Sequence, residues 1–125
     1  MQIISSDKAP KAIGPYSQAI AHGGLVWCSG QIALDPATGG MVGAGDVRAE
    51  ATQALKNLAA VLNEAGTGFD RVVKVTIFLM DMADFAVVNE VYAAAIGDAR
   101  PARATVQVAG LPKGARAEID CAAAV

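Results

Sequence analysis

Polar and apolar residues alternate in two stretches near the C-terminal end of the chain. In residues 101–108 the apolar positions are Ala104, Val106 and Val108, and the polar positions are Arg103, Thr105 and Gln107. In residues 115–125 the corresponding sets are Ala117, Ile119 and Cys121, and Arg116, Glu118 and Asp120. A period of two residues predicts a β-strand with one apolar and one polar face. We interpret the two polar rows as the walls of a candidate site.

The rest of the chain is predicted to contribute four more strands and two helices. Strands are expected at residues 1–6, 16–21, 25–29 and 72–80, with a His-Gly-Gly hairpin turn at 22–24. One helix is predicted to begin after an N-cap at Asp46 and to end at Gly66. The second is predicted to begin after Asp84 and to end at Gly97. The predicted order is therefore β-β-β-α-β-α-β-β.

The strand at residues 72–80 is apolar on both faces, which predicts that both faces are covered. Val73, Val75, Ile77 and Leu79 form one row, and Val72, Thr76, Phe78 and Met80 form the other, which Lys74 interrupts. Two helices are too few to cover both faces of a six-stranded sheet. We therefore expect an α+β fold with both helices on one face and a partner molecule on the other.

Length and composition indicate one domain, spanning residues 1–125, in a reducing compartment. Hydrophobic residues make up 54% of the chain and charged residues 18%, and the formal net charge is −2. No run of Lys or Arg is present, so nucleic acid is not an expected partner. No stretch approaches the roughly 18 apolar residues of a membrane span, and no signal peptide is visible. Cys28 and Cys121 lack metal or disulfide spacing, and as buried thiols they favour the cytoplasm.

Arg103 and Glu118 are the two candidates whose chemistry would matter most. The planar guanidinium of Arg103 is suited to bind a carboxylate through two parallel hydrogen bonds, although a surface arginine is the ordinary alternative. Glutamate is depleted in strands, and Glu118 could orient or deprotonate a water. A solvated face with ion pairing to Arg116 is the simpler explanation from spacing alone.

Two further segments present weaker candidates. Tyr16 follows a Gly-Pro turn, which could direct its phenol into a cleft or place the ring against the core. Ser29 and Gly30 end a predicted strand. A plain turn is the simpler interpretation; the alternative is a ligand close to the backbone, because glycine allows close approach. His22 is the only histidine and lies in the predicted hairpin turn. The chain has no nucleophile–histidine–acid set and no metal-ligand cluster, so no metal and no cofactor are expected.

Several segments together resemble one known family. They are Ile13-Gly14-Pro15-Tyr16-Ser17-Gln18-Ala19, Cys28-Ser29-Gly30-Gln31-Ile32, residues 72–78, residues 84–89, Pro101-Ala102-Arg103, and Leu111-Pro112-Lys113 with Glu118. They span nearly the whole chain and are specific in combination. On these segments the chain resembles the reactive intermediate deaminase family, the RidA or YjgF-like proteins.

The resemblance implies a chorismate-mutase-like fold and a homotrimer with sites in clefts at the subunit interfaces. It implies hydrolysis of 2-iminoacids and their enamine tautomers, such as 2-iminopropanoate and 2-iminobutanoate, to 2-oxoacids and ammonia. The family's carboxylate-binding arginine falls on Arg103, its water-positioning glutamate on Glu118 and its site tyrosine on Tyr16. Ser29, Gly30 and Asn89 occupy other positions near the cleft.

One position departs from the family pattern. Many of these deaminases carry a cysteine two residues after the arginine, and here that position is Thr105. Imine hydrolysis needs no covalent thiol, and a backbone N–H at residue 105 survives the change. We therefore expect Thr105 to affect rate and substrate preference more than the type of reaction.

Two other functions remain open at the level of sequence. A non-catalytic module that binds oxoacids or related carboxylates would use Arg103 without turnover. An endoribonuclease or translation inhibitor is a further alternative, because family members carry those names. The acidic balance of the chain disfavours it, since phosphate contacts need cations.

Overall fold

The computed structural model describes all residues from Met1 to Val125. Its elements follow the predicted order β-β-β-α-β-α-β-β. Their bounds are β1 Gln2–Ile4, β2 Ala19–His22, β3 Leu25–Gln31, α1 Val47–Glu64, β4 Val72–Leu79, α2 Phe85–Ile96, β5 Ala102–Gln107 and β6 Ala117–Ala124. Short 3-10 turns at Phe69–Arg71, Met82–Asp84 and Pro112–Gly114 precede β4, α2 and β6. No helix has the length and apolar composition that crossing a membrane requires.

The strands form one mixed sheet of six in the order β1-β2-β3-β6-β4-β5. β4 and β5 are parallel, which requires a crossover, and α2 supplies it. All other neighbouring strands are antiparallel. The last strand of the chain, β6, therefore lies between β3 and β4, while β5 lies at an edge.

Both helices pack on the same face of the sheet, which we call the helix face. One core of 22 buried residues joins the two layers. It includes Val75, Ile77 and Leu79 of β4, Leu58 and Leu62 of α1, and Val88 of α2. Full burial of one such side chain contributes about 1.5–3 kcal/mol. The predicted α+β fold, a six-stranded mixed sheet with two helices on one face, is confirmed; we call the opposite face the open face.

The ends of the helices follow the capping residues, with one difference at α2. Asp46 accepts hydrogen bonds from the backbone N–H groups of Arg48 and Ala49 at 3.1 and 3.2 Å. Asp84 occupies the N-cap position of α2, but its side chain caps no N–H of the helix. Its carboxylate instead pairs with the Arg116 guanidinium at 2.7 Å. Arg116 therefore forms its ion pair with Asp84 and not with a neighbour on β6.

The second and third strands are shifted from their predicted bounds. β2 begins at Ala19, so Tyr16 lies in the loop that precedes the strand. The buried Gln18 side chain holds that segment, because it accepts from Ser6 N–H at 2.6 Å and donates to Pro10 O at 2.8 Å. β3 continues to Gln31, two residues beyond the predicted end, since Gln31 still pairs with Ile119 of β6 across a bulge.

A bulge in β4 changes which residues share its buried row. The pairing with β6 shifts between Val72 and Lys74. Val72 consequently joins the core, whereas Val73 is 46% exposed. The predicted row was wrong at these two residues, because a bulge breaks the two-residue period that the prediction assumed.

Candidate active site

The two polar rows of β5 and β6 lie on opposite faces of the sheet. Arg103 is paired with Val75 of β4, which belongs to the helix face. Glu118 is paired with Phe78 of β4, whose neighbours along the strand point the other way. Side chains at paired positions share a face. Within one chain, the interpretation of both rows as walls of a single site is therefore wrong.

Side chains on one side of α2 hold the Arg103 guanidinium in place. Its Nη1 donates to Oδ1 of Asn89 at 2.7 Å. Its Cζ lies 5.0 Å from the Tyr92 ring centroid and 5.7 Å from that of Phe85. Residues 85, 89 and 92 are spaced by four and three, which places them on one side of the helix. The guanidinium is thus oriented by one hydrogen bond and two cation–π contacts, and its remaining N–H groups are available to an anion.

Two hydroxyls next to this cluster have no hydrogen-bond partner. They are Tyr92 Oη and Thr105 Oγ1, and both atoms are buried. Burial raises the pKa of Tyr92, so the phenol stays protonated. The Thr105 side chain therefore takes part in no hydrogen bond here, which is compatible with a contribution through its backbone N–H.

Glu118 lies in a different cleft, of about 600 Å³, on the open face. Tyr16, Ser29 and Gly30 line the same cleft. A side chain at residue 30 would overlap Glu118 Oε2 and lie 2.8 Å from its Cδ. The absence of a side chain at Gly30 thus lets the Glu118 carboxyl group pack directly on the backbone. The structure brings together these four predicted residues and separates them from Arg103, Thr105 and Asn89.

Burial is the main influence on the Glu118 carboxyl group. It raises the pKa of Glu118, and the charge of Asp120, two residues along β6, raises it further. Burial likewise raises the pKa of Asp120. A carboxylate with a raised pKa is a better proton acceptor near neutral pH than an ordinary glutamate. Glu118 therefore has the electrostatics of a general base.

Ser29 and Tyr16 have different positions in the Glu118 cleft. The Ser29 hydroxyl donates to the backbone oxygen of Ser17 at 2.6 Å, so it fixes the segment that carries the tyrosine. Tyr16 is 55% exposed, and its ring is one wall of the cleft mouth. The phenol is therefore free to meet a ligand, whereas the serine hydroxyl is already engaged.

The histidine and the two cysteines of the chain do not form a further site. His22 is exposed at the end of β2, beside the hairpin turn. No group of three or more His, Cys, Asp or Glu side chains could hold a metal ion. Cys28 and Cys121 are paired across β3 and β6 as buried free thiols.

Phe85, Tyr92 and Arg100 were not among the residues predicted for the site. The first two hold the Arg103 guanidinium, and Arg100 lines the same cleft as Arg103. Phe85 and Tyr92 lie in the apolar stripe of the second predicted helix, and such a stripe ordinarily indicates packing on the core. A signal was available, because Asn89 interrupts that stripe between them at helical spacing.

Known proteins resemble this chain over almost its full length. The family model described as Endoribonuclease L-PSP matches residues 6–125. Protein DfrA of Myxococcus xanthus is 57% identical over 96% of this chain and 92% of its own. The 2-iminobutanoate/2-iminopropanoate deaminase of Mus musculus is 51% identical over 98% of this chain and 90% of its own.

Structural similarity leads to the same conclusion. The crystal structure of the Rid family protein YyfA from Yersinia pestis superposes with a TM-score of 0.96 at 46% identity, covering 99% of this chain and 98% of that one. Sequence and fold thus agree on one group of proteins. The chain belongs to the YjgF/RidA family, whose model carries the description Endoribonuclease L-PSP.

Proposed function

We propose that this protein is an imine deaminase, which hydrolyses small 2-iminoacids such as 2-iminopropanoate and 2-iminobutanoate to 2-oxoacids and ammonia. The observation that carries the proposal is a fixed guanidinium and a carboxyl group with a raised pKa in one chain. The mouse relative named 2-iminobutanoate/2-iminopropanoate deaminase supports it at 51% identity. We also propose that the reaction takes place in the cytoplasm, because the free thiols of Cys28 and Cys121 suit a reducing compartment.

In the proposed reaction, Arg103 binds the substrate carboxylate through the N–H groups that Asn89 leaves free. Glu118 accepts a proton from water as the water oxygen attacks the C=N carbon. The resulting carbinolamine loses ammonia: the C–N bond breaks, protons pass to the nitrogen, and the water oxygen becomes the ketone oxygen. Tyr16 and the backbone near Gly30 and Thr105 hold the imine. A protonated imine is already electrophilic, so positioning supplies much of the rate, and the proposal involves no cofactor or metal.

The proposal requires two copies of the chain, since Arg103 and Glu118 lie on opposite faces of the sheet. We propose a homotrimer in which each cleft takes Arg103 from one subunit and Glu118 from the next. The open face supports self-association. A cross-strand row of Ile3, Ile20 and Trp27 occupies it, with Ile3 67% and Trp27 55% exposed. Large exposed apolar residues in a row mark an interaction surface.

Mixing two inactive variants tests the shared site directly. Arg103→Ala and Glu118→Gln each remove one half of the chemistry, and each alone is expected to be nearly inactive. Refolded together in equal amounts, they should recover about a quarter of wild-type activity, because that share of interfaces pairs an intact arginine with an intact glutamate. No recovery would contradict a shared site. Light scattering on the wild type should show a trimer; a stable monomer at micromolar concentration would refute the assembly.

Point variants assayed on 2-iminobutanoate test the roles of the residues. Glu118→Gln keeps the shape of the side chain but accepts no proton, so its rate should fall by about 10²–10⁴-fold. Glu64→Gln is the matched control, since it makes the same change at an exposed carboxylate that does not line the cleft. The rate of Thr105→Ala should fall by about tenfold or less, which corresponds to the loss of at most one hydrogen bond. The reverse ordering of the Glu118 and Thr105 variants would contradict the assignment of the water to Glu118.

The same preparations distinguish the two alternative functions. A carboxylate-binding module would bind 2-oxobutanoate through Arg103 but show no turnover of any imine. An endoribonuclease, the function in the family description, would cleave RNA and bind it more weakly as salt increases. The net charge of −2 disfavours that activity, and we expect no RNA cleavage by the purified protein.

A further inference from the structure

Two guanidinium groups face one cleft, and no carboxylate balances them. Arg100 and Arg103 both line a cleft of about 510 Å³ beside α2, whose other polar lining residues are Asn89 and Tyr92. Neither arginine forms an ion pair, in contrast to Arg48 with Glu90 and Arg116 with Asp84. The cleft therefore carries two uncompensated positive charges. A 2-iminoacid with an uncharged side chain has a single carboxylate, which needs only one of these two positive charges.

Arg100 is held in place by its own backbone. Its Nη1 donates to Gly97 O at 2.9 Å and to Ala99 O at 2.7 Å. Nη2 and Nε remain available, so the side chain retains donors for a planar anion. Since the guanidinium is already ordered, binding an anion there costs less conformational entropy than binding at a free arginine.

The two guanidinium groups border one cleft that has room for a small molecule. They belong to residues three apart, whose Cα atoms are at most about 10 Å from each other. Pro101 stiffens the segment between them by fixing its own φ. Both charges also act on the Tyr92 phenol, opposing the rise in its pKa that burial causes.

We propose that Arg100 binds a second carboxylate, so that the preferred substrates are the 2-iminoacids of dicarboxylic amino acids. This inference rests on the proposed deaminase function and specifies its substrate class. Arg103 takes the carboxylate next to the imine carbon, and Arg100 takes the carboxylate at the end of the side chain. The hydrolysis is unchanged: water adds to C=N, and ammonia leaves the carbon that becomes a ketone.

Two imines of equal chain length isolate the terminal carboxylate. 2-Iminoglutarate is generated from glutamate and 2-iminopentanoate from norvaline by amino-acid oxidases, and the surviving imine is trapped with semicarbazide. Wild-type protein should show a kcat/KM about five- to tenfold higher for 2-iminoglutarate, the value of one added charge-assisted contact at a partly exposed site. Arg100→Gln should abolish that preference while changing kcat/KM for 2-iminopentanoate by less than about twofold.

Two control variants separate a specific contact from general effects. Arg71→Gln removes the same charge from an exposed turn outside the cleft and should leave the preference intact. Arg100→Lys keeps the charge without the planar fork and should restore part of the preference. An equal loss of activity on both imines in Arg100→Gln would overturn the inference, because it would indicate that Arg100 only supports the loop. An unchanged preference would overturn it as well.

Calorimetry with product analogues distinguishes failure of this inference from failure of the proposed function. Wild-type protein should bind 2-oxoglutarate more tightly than 2-oxopentanoate, and Arg100→Gln should bind the two equally. If this difference is found but no imine is hydrolysed, the deaminase function is wrong and the site with two arginines stands. If imines are hydrolysed without any preference for the diacid, the deaminase stands and this inference is overturned.

Discussion

Replacing Gly30 by alanine should lower the proposed deaminase activity by displacing Glu118. The added methyl group would overlap Oε2 of Glu118 and lie 2.8 Å from Cδ and 3.0 Å from Cγ. Ordinary carbon–carbon contacts begin at about 3.5 Å, so Cδ alone must retreat by about 0.7 Å, and Oε2 by more. A misplacement of this size at a reacting group costs about 10- to 100-fold in rate. We expect kcat for 2-iminobutanoate to fall by that factor.

The fold should tolerate the same substitution. Gly30 does not have a positive φ, so the backbone admits alanine without strain. The clash is with the end of a flexible side chain, and alanine also lowers the entropy of the unfolded chain. We therefore expect an unchanged or slightly higher melting temperature. Gly110→Ala is the matched control, because no atom lies within 4 Å of a Cβ built there.

A double-mutant cycle decides whether the effect passes through Glu118. In the background of Glu118→Ala the clashing atoms are absent, so adding Gly30→Ala should cause no further loss of activity. The assay is the steady-state rate on 2-iminobutanoate for the wild type and the three variants at equal chain concentration. Wild-type activity in Gly30→Ala would refute the reasoning. So would a further loss of the same size in the Glu118→Ala background.

Three further predictions follow from individual contacts. Asn89→Ala removes the hydrogen bond that orients the Arg103 guanidinium, at a cost of roughly 1 kcal/mol in binding. KM for 2-iminobutanoate should therefore rise about fivefold to tenfold, with kcat little changed. Steady-state kinetics that show a loss in kcat alone would contradict this role. Because the pKa of Glu118 is raised and its ionised form is the active base, activity should fall on acidification with a midpoint above the ordinary glutamate value of about 4.3. Asp120→Asn should move that midpoint down, and a midpoint at or below the ordinary value would be evidence against the assignment. Glu50 is fully buried and accepts hydrogen bonds from Gly45 N–H and Arg116 N–H at 2.9 Å each. Glu50→Gln should therefore lower the unfolding free energy, measured by chemical denaturation, by about 1–3 kcal/mol. The exposed control Glu64→Gln should leave the unfolding free energy unchanged.

The sequence by itself determined the elements and their local chemistry. Strand and helix types depend on the spacing of apolar residues within a few positions, and caps such as Asp46 act through neighbouring N–H groups. Both signals are local, so they could be recognised in the sequence without knowledge of the fold. The same holds for Arg103 and Glu118 as candidates, since a guanidinium and a strand carboxylate are visible as residue types.

Only the tertiary structure decided where those side chains point. Alternation shows that Arg103 and Thr105 share a face, but it does not say which face of the sheet that is. The answer depends on β5 pairing in parallel with β4, so that Arg103 lies beside Val75, and on β6 pairing so that Glu118 lies beside Phe78. These registers are set by contacts between residues far apart in the chain, and the bulge at Val73 shifts one of them. The separation of the two groups to opposite faces is therefore a property of strand order and register that local sequence does not contain. Our proposal of a site shared by two copies of the chain follows from that separation.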